Sequence, residues 1–257
     1  MFEPRVAAAS LSGESDVEWA KAAAPYVGCA FLGGIALDES TRTAAEKLRE
    51  RDRTEFIPPD PIEFIDSQLA ALSNADIRPG VNVRSATTEP IEAAAAVCAE
   101  HDAIVEINAH CRQEEMCAVG AGESLLTDTD RLCEYVETAA ETGATVSVKV
   151  RTEVPGVDLP ALSTRLCESG VDLLHIDAMD SESIIEDVVA VVPTASVIAN
   201  NGVRDRETVE TYLEYGADAV SVGRPSDNPA VLKRVRAATE AWFTEQNVSS
   251  KEVTPDA

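Results

Sequence analysis

Ala103-Ile-Val-Glu-Ile-Asn-Ala-His-Cys-Arg112 begins as a buried-looking run and ends abruptly in amide, imidazole, thiol and guanidinium. Reactive side chains at the carboxyl end of a strand are where an α/β barrel keeps its chemistry. The longest polar loop of the chain follows, residues 109–127, and its glycine pair, Gly120 and Gly122, leads back towards a helix. That loop is the expected active-site lid.

Outward from this stretch, short apolar runs rich in β-branched residues recur at 5–9, 29–32, 80–83, 103–107, 145–150, 173–176, 196–199 and 219–222. Helical patterns separate them, at about 15–25, 61–73, 88–100, 129–142, 158–169, 181–190, 205–215 and 228–245. Asp16, Asp128 and Asp205 stand at expected helix starts, Pro90 and Pro160 in first turns, and Gly143, Gly170 and Gly216 at stops. Eight strand-then-helix units in one chain predict a (β/α)8 TIM barrel, a single α/β domain over 1–246. An open doubly wound sheet is the competitor, but no Gly-x-Gly-x-x-Gly follows the first strand. The charged segment 38–60 reads as an insertion after the second strand that reaches over the barrel mouth, and 247–257 as an acidic disordered tail.

The chain has 257 residues, 45% of them hydrophobic, which is enough for one large core. Its N-terminus lacks signal-peptide order and no apolar run approaches the roughly 18 residues a membrane span needs, so a cytoplasmic protein is expected. Six cysteines, none in a Cys-x-x-Cys pair, read as buried free thiols, with no disulfide and no metal site. The net charge of -25 is spread along the chain, and five lysines stand against sixteen arginines. Such a surface suits a halophilic cytoplasm, where repulsion is screened within about 3 Å at 1 M salt.

In a barrel, the strand ends converge on one mouth. They bring Ser10, Asn82 and Arg84, then Asn108, His110 and Cys111, then Lys149 and Arg151, His175 and Asp177, Asn201 and Gly202, and Gly223 and Arg224. Alternation turns Ser147, Lys149 and Arg151 inward, and an inward lysine calls for an anion: a phosphate, a carboxylate or an electron-rich ring. An ion pair with Glu106 is the plainer alternative, and a Schiff base remains open. Asn201-Gly202 and Gly223-Arg224, after strands seven and eight, suit a phosphate cradle. Cys111 is a candidate general acid or nucleophile, Cys117 a loop-packing residue, and His175 a ligand-facing donor with Asp177 to orient it.

Glu-Ile-Asn-Ala-His-Cys111, Val-Lys149-Val-Arg, Leu-His175-Ile-Asp, Asn-Asn201-Gly-Val and Val-Gly223-Arg-Pro together resemble the dihydrouridine synthase-like flavoprotein barrels. The likeness is to a divergent archaeal branch related to dihydroorotate dehydrogenases, and it runs from about residue 5 to 245. It implies FMN across the barrel mouth, with Asn82, Asn108, Lys149 and His175 at the isoalloxazine or ribityl part and Asn201, Gly202, Gly223 and Arg224 at the phosphate. It puts Cys111 where family members place the acid that protonates uracil C5. It also implies NAD(P)H as electron source and tRNA uridine as substrate. Two departures stand out. The family's Asn-x-Gly-Cys-Pro is Asn-Ala-His-Cys-Arg here, and the barrel is expected to lack the C-terminal helical domain with which family members grip tRNA. An acidic surface offers RNA little, although Arg84, Arg112 and Arg151 are placed to line a path.

Three rivals follow from the same residues. One is a flavoprotein acting on a free pyrimidine or dihydropyrimidine, as dihydroorotate dehydrogenases do. Another is an isomerase or aldolase barrel that uses the cradle for a substrate phosphate without flavin. The last is a barrel that binds without catalysis.

Overall fold

Eight parallel strands close into a barrel in simple sequence order in the computed structural model, which describes the backbone of residues 1–252 and the side chains of residues 1–246. They are β1 Val6–Ala8, β2 Cys29–Ala36, β3 Arg78–Arg84, β4 Ile104–Asn108, β5 Thr145–Arg151, β6 Leu173–Asp177, β7 Ser196–Asn200 and β8 Ala219–Val222. Each expected strand is present. The expected helices are α1 Val17–Ala23, α3 Pro61–Ala70, α4 Glu89–Glu100, α6 Thr129–Glu141, α7 Leu159–Glu168, α8 Ile184–Val189, α9 Arg206–Glu214 and α10 Pro229–Glu252. The last of these enters the segment expected to be a disordered tail, and residues 253–257 lie outside the described residues.

Two helices were not legible from periodicity. The insertion 38–60 contains α2, Glu39–Arg49, whose N-terminus is capped by the Asp38 carboxylate at 3.0 Å from the Thr41 N–H. The lid contains a short α5, Glu114–Ala118, and a turn of 3-10 helix at Gly122–Leu126. Asp16, Asp60, Asp158 and Asp205 cap their helices through side-chain oxygens, each worth about 1 kcal/mol. Asp128 makes no such cap and pairs with Arg131 instead, at 3.1 Å.

Period-two alternation divides the strands into two faces. Outward valines, leucines and isoleucines such as Val81, Val105, Val148 and Leu174 pack under the helices as one core. The inward residues change character with height. At the floor, Ala7, Cys29, Phe31, Ile104, Leu173 and Ile198 form a separate apolar cluster. The Phe31 ring occupies space at Gly80 that a Cβ would invade, at 2.5 Å. Above the floor come Asn82, Glu106, Ser147, His175 and Ser221, all buried and polar. At the rim stand Arg84, Arg151, Asp177 and Arg224, so polarity rises towards the carboxyl ends of the strands. No helix among the described residues is long and apolar enough to cross a membrane.

Candidate active site

A wholly buried carboxylate organises the polar layer. Glu106 Oε1 accepts from Asn82 Nδ2 at 2.8 Å, and Oε2 accepts from Ser147 Oγ at 3.2 Å and lies 2.6 Å from His175 Nδ1. His175 Nε2 lies 2.7 Å from Ser221 Oγ, which in turn accepts from Asn200 Nδ2 at 2.7 Å. Burial pushes the Glu106 carboxyl up, but the hydrogen bond from His175, the charge of Lys149 and the hydrogen bond from Asn82 hold it below its ordinary value. Burial holds the His175 imidazole below its ordinary value against the pull of Glu106. The pair is therefore a carboxylate and a neutral ring, with Nδ1–H donating to Glu106 and Nε2 accepting from Ser221.

This arrangement changes three sequence expectations. Asp177 does not orient His175; Glu106 does, because His175 points across the lumen to β4 while Asp177, one step higher, accepts from Asn201 Nδ2 at 2.8 Å. His175 is 0% exposed and is not a ligand-facing donor, since both ring nitrogens are engaged inside the barrel. Asn82 and Asn108, also expected at a cofactor, lie with it beneath the mouth, joined by a 2.8 Å hydrogen bond from Asn108 Nδ2 to Asn82 Oδ1.

Above this layer, Lys149, Asn201, Gly202, Gly223 and Arg224 share the lining of one cavity of about 500 Å³. Lys149 is 2% exposed and its ammonium has no ion pair or hydrogen bond among the described residues. Burial pulls it below the ordinary lysine value, against Glu106 and Asp177, which pull it up. The alternative, an ion pair with Glu106, is absent because the carboxylate is already filled by Asn82, Ser147 and His175. Asn201 adopts a left-handed backbone, φ 103°, and its carbonyl accepts from Tyr212 Oη at 2.9 Å, which fixes the turn after β7. A Cβ at Gly202 or Gly223 would meet nothing within 4 Å, so both backbones face open space. An unpaired buried cation, two open glycine turns and a volume in the ordinary ligand range fit a phosphate-bearing mononucleotide such as FMN.

Beside it lies an outer cleft of about 640 Å³, lined by Cys111, Arg112, Arg53, Thr54, Arg84 and Arg151, among others. His110, Asp177, Asn201 and Arg224 line both spaces. The insertion does reach the mouth: Thr54 Oγ1 donates to the Ser12 carbonyl at 2.8 Å, and Glu55 meets Arg84 at 2.6 Å with both side chains at most 3% exposed. Arg84 also donates to Ser12 Oγ. Burial alone lowers the Arg84 guanidinium, but the charge and hydrogen bond of Glu55 hold it above its ordinary value. Arg84 and Arg151 are thus not free to line an anion path, since Glu55 and Glu123 neutralise them, the latter at 2.8 Å. Glu55 and Ser12 left no signal in the sequence, because loop residues that meet only through folding carry no local pattern.

The lid is a packed element. Met116 is fully buried against Ala36, Ala44, Ala45 and Leu48, with Cys111 alongside. Cys111 N–H donates to Asn108 Oδ1 at 3.0 Å and its carbonyl accepts from Glu123 N–H at 2.9 Å. Cys117 donates its thiol to the same carbonyl at 3.5 Å, consistent with a packing role, and burial pushes that thiol up. Gly122 has φ 65°, and a Cβ there would lie 2.2 Å from the Cys111 carbonyl oxygen. Gly122→Ala is therefore expected to destabilise the fold by about 1–3 kcal/mol and to speed alkylation of Cys111 by a thiol reagent; an unchanged denaturation midpoint and alkylation rate would contradict this.

Comparison with known proteins agrees with this geometry. An uncharacterised protein of Methanocaldococcus jannaschii is 26% identical over 236 residues, covering 87% of this chain and 89% of its own. A ligand-free type DHODH, a dihydroorotate dehydrogenase, from Eimeria tenella superposes with TM-score 0.71 at 14% identity, covering 95% of this chain and 86% of that one. Thiamine phosphate pyrophosphorylase from Pyrococcus furiosus gives 0.55 at 12%, covering 92% and 96%. At such identities, these structures share the fold alone. The dihydrouridine synthase (Dus) family model matches residues 80–254, a span that begins within β3 and carries β4 to β8 and with them Cys111, the inward lysine and both glycine turns. On that match, which takes in most of the barrel, the chain belongs to the dihydrouridine synthase family and is an oxidoreductase of that type.

Proposed function

We propose that this protein is an FMN-dependent oxidoreductase that acts on the C=C bond of a uracil-like ring. The observation that carries the reading is Lys149: a buried lysine whose ammonium has no hydrogen bond or ion pair among the described residues, in a cavity shared with the Asn201-Gly202 and Gly223-Arg224 turns and adjoining the cleft of Cys111. When bound, FMN supplies two-electron redox chemistry. Asn201, Gly202, Gly223 and Arg224 hold its phosphate, and Lys149 sets a positive charge against the ring system. Asn82, Asn108 and His175 support that site from below. The substrate ring enters the outer cleft, and Cys111 Sγ delivers a proton to its carbon. NAD(P)H is the reductant, uridine in tRNA the leading substrate, and a salt-rich cytoplasm the setting.

A second reading, a free pyrimidine as substrate, is favoured by the charge of -25, which repels an RNA backbone. Mapping dihydrouridine in tRNA from a deletion strain separates the two, because unchanged modification removes tRNA as the substrate. The cofactor is tested by the visible spectrum. Purified protein is expected to show flavin bands, or to acquire them on adding FMN. A colourless protein that takes up no FMN would instead support a flavin-free phosphate-binding barrel. Lys149→Met is expected to weaken FMN binding roughly 30-fold, as loss of a charge-assisted contact does. The same change should raise the melting temperature of the flavin-free protein, because burial holds Lys149 below its ordinary value and its charge therefore opposes folding. Flavin affinity equal to that of the parent would contradict the assignment.

A further inference from the structure

His110 sits where the cavity and the outer cleft meet, and the polar layer beneath it fixes which of its ring nitrogens carries hydrogen. The chain of constraint begins at Glu106, which as a carboxylate can only accept. Asn82 must therefore turn its Nδ2 to Glu106 at 2.8 Å, leaving Oδ1 to accept from Asn108 Nδ2, also at 2.8 Å. Asn108 Oδ1 then faces the lid, where it accepts from Cys111 N–H at 3.0 Å and lies 3.2 Å from His110 Nδ1. An acceptor at that distance requires the hydrogen on Nδ1. Burial, with the positive charges of Lys149, Arg84 and Arg151, holds the imidazole well below its ordinary value and so keeps a single proton on the ring. Nε2 is left as a bare lone pair without a protein partner among the described residues, on a residue that lines both spaces.

The surroundings are rich in donors. Arg53 and Arg112 line the outer cleft with guanidinium groups that have no ion pair or hydrogen bond among the described residues, and Lys149 lies on the cavity side. Between Lys149 on one side and Arg53 and Arg112 on the other, the His110 acceptor is complementary to a carbonyl, N–H, carbonyl edge, while the carboxylates Glu14, Asp52 and Asp177 line other parts of the two spaces.

We propose that His110 Nε2 accepts a hydrogen bond from the N–H of a cyclic imide, making His110 a specificity-determining residue. This rests on the flavin and pyrimidine reading above and deepens it, because a uracil ring and a flavin ring both present that edge. Methylating the imide nitrogen removes the donor and blocks the contact. Calorimetry with uridine and 3-methyluridine, and fluorescence titration of flavin-stripped protein with FMN and its N3-methyl derivative, identify which ring is read. Methylation is expected to weaken one pair roughly tenfold or more, and His110→Ala to shrink that ratio below about threefold. The pair that shows the ratio names the source.

Equal binding within both pairs overturns the proposal while leaving FMN uptake, the test of the parent reading, intact. Failure to bind FMN overturns the parent reading, and the uridine pair then decides alone: no binding, or no discrimination, rejects the role of His110. A second measurement needs no variant. The chain has three histidines, so a long-range ¹H–¹⁵N spectrum resolves their tautomers. The neutral Nδ1–H form is expected for His110 at pH 7, and an Nε2–H tautomer or an imidazolium there overturns the assignment.

Discussion

Cys111→Ala protein is expected to keep its flavin and its fold but to turn over a pyrimidine substrate about 10²–10⁴-fold more slowly, the usual scale for losing a positioned proton donor. The lid holds this residue from both ends, Asn108 accepting from its N–H and Glu123 donating to its carbonyl, so the thiol is placed by backbone rather than by its own contacts. It lines the outer cleft, next to the turn that carries His110. Cys117 makes the natural control. Its thiol is tied to the Cys111 carbonyl and raised by burial, so Cys117→Ala should leave turnover within about threefold, the scale of an unremarkable packing change. Turnover by Cys111→Ala close to the parent rate, with substrate capture also unchanged, would return the residue to a packing role and favour a barrel that only binds.

Glu106→Ala should cost the fold about 3–5 kcal/mol, as removing one partner from a buried charged network does. The loss leaves Asn82 Nδ2, Ser147 Oγ and His175 Nδ1 without their acceptor and removes the carboxylate whose charge supports Lys149. Urea denaturation followed by circular dichroism measures it, and a loss below about 1 kcal/mol, the scale of a single exposed pair, would contradict the network.

The same layer sets a pH dependence with a definite sign. His110 and His175 are held below the ordinary 6.5, so the unfolded chain binds their protons first and stability falls as pH drops below that value. Glu106 is held below 4.5, so its contribution is complete above that value and is lost as pH falls further, towards its depressed folded value. Relief of repulsion in a chain of charge -25 acts in the opposite direction. Salt above 1 M, where screening shortens to about 3 Å, suppresses that surface effect and leaves the buried groups to decide. Under such conditions, stability that rises on acidification from pH 7 to 5 would overturn the protonation states assigned here.

Much of this was legible beforehand for a local reason. Strand ends in a barrel share one mouth, so alternation along Val-Ser-Val-Lys149-Val-Arg already turns the lysine inward, and Asn201-Gly202 and Gly223-Arg224 fall beside it once the strands are in order. Helix α2 has no legible stripe because its sequence, Glu-Ser-Thr-Arg-Thr-Ala-Ala-Glu-Lys-Leu-Arg, has too few large apolar residues; small alanines pack it against the lid instead. Glu106, a carboxylate between Val105 and Ile107 in an otherwise apolar run, is the sign of a buried network that the sequence carries.

The amino-acid sequence by itself determined the eight strand and helix units, the inward and outward faces, and the residues at each strand end, because periodicity and turn chemistry act between near neighbours. Only the tertiary structure decided the partners: Glu106 with His175 rather than Lys149, Glu55 with Arg84, and Asn108 with the turn at His110 and Cys111. Those choices depend on which donor reaches an acceptor first across a closed lumen, a competition among strands distant in sequence that no local pattern encodes.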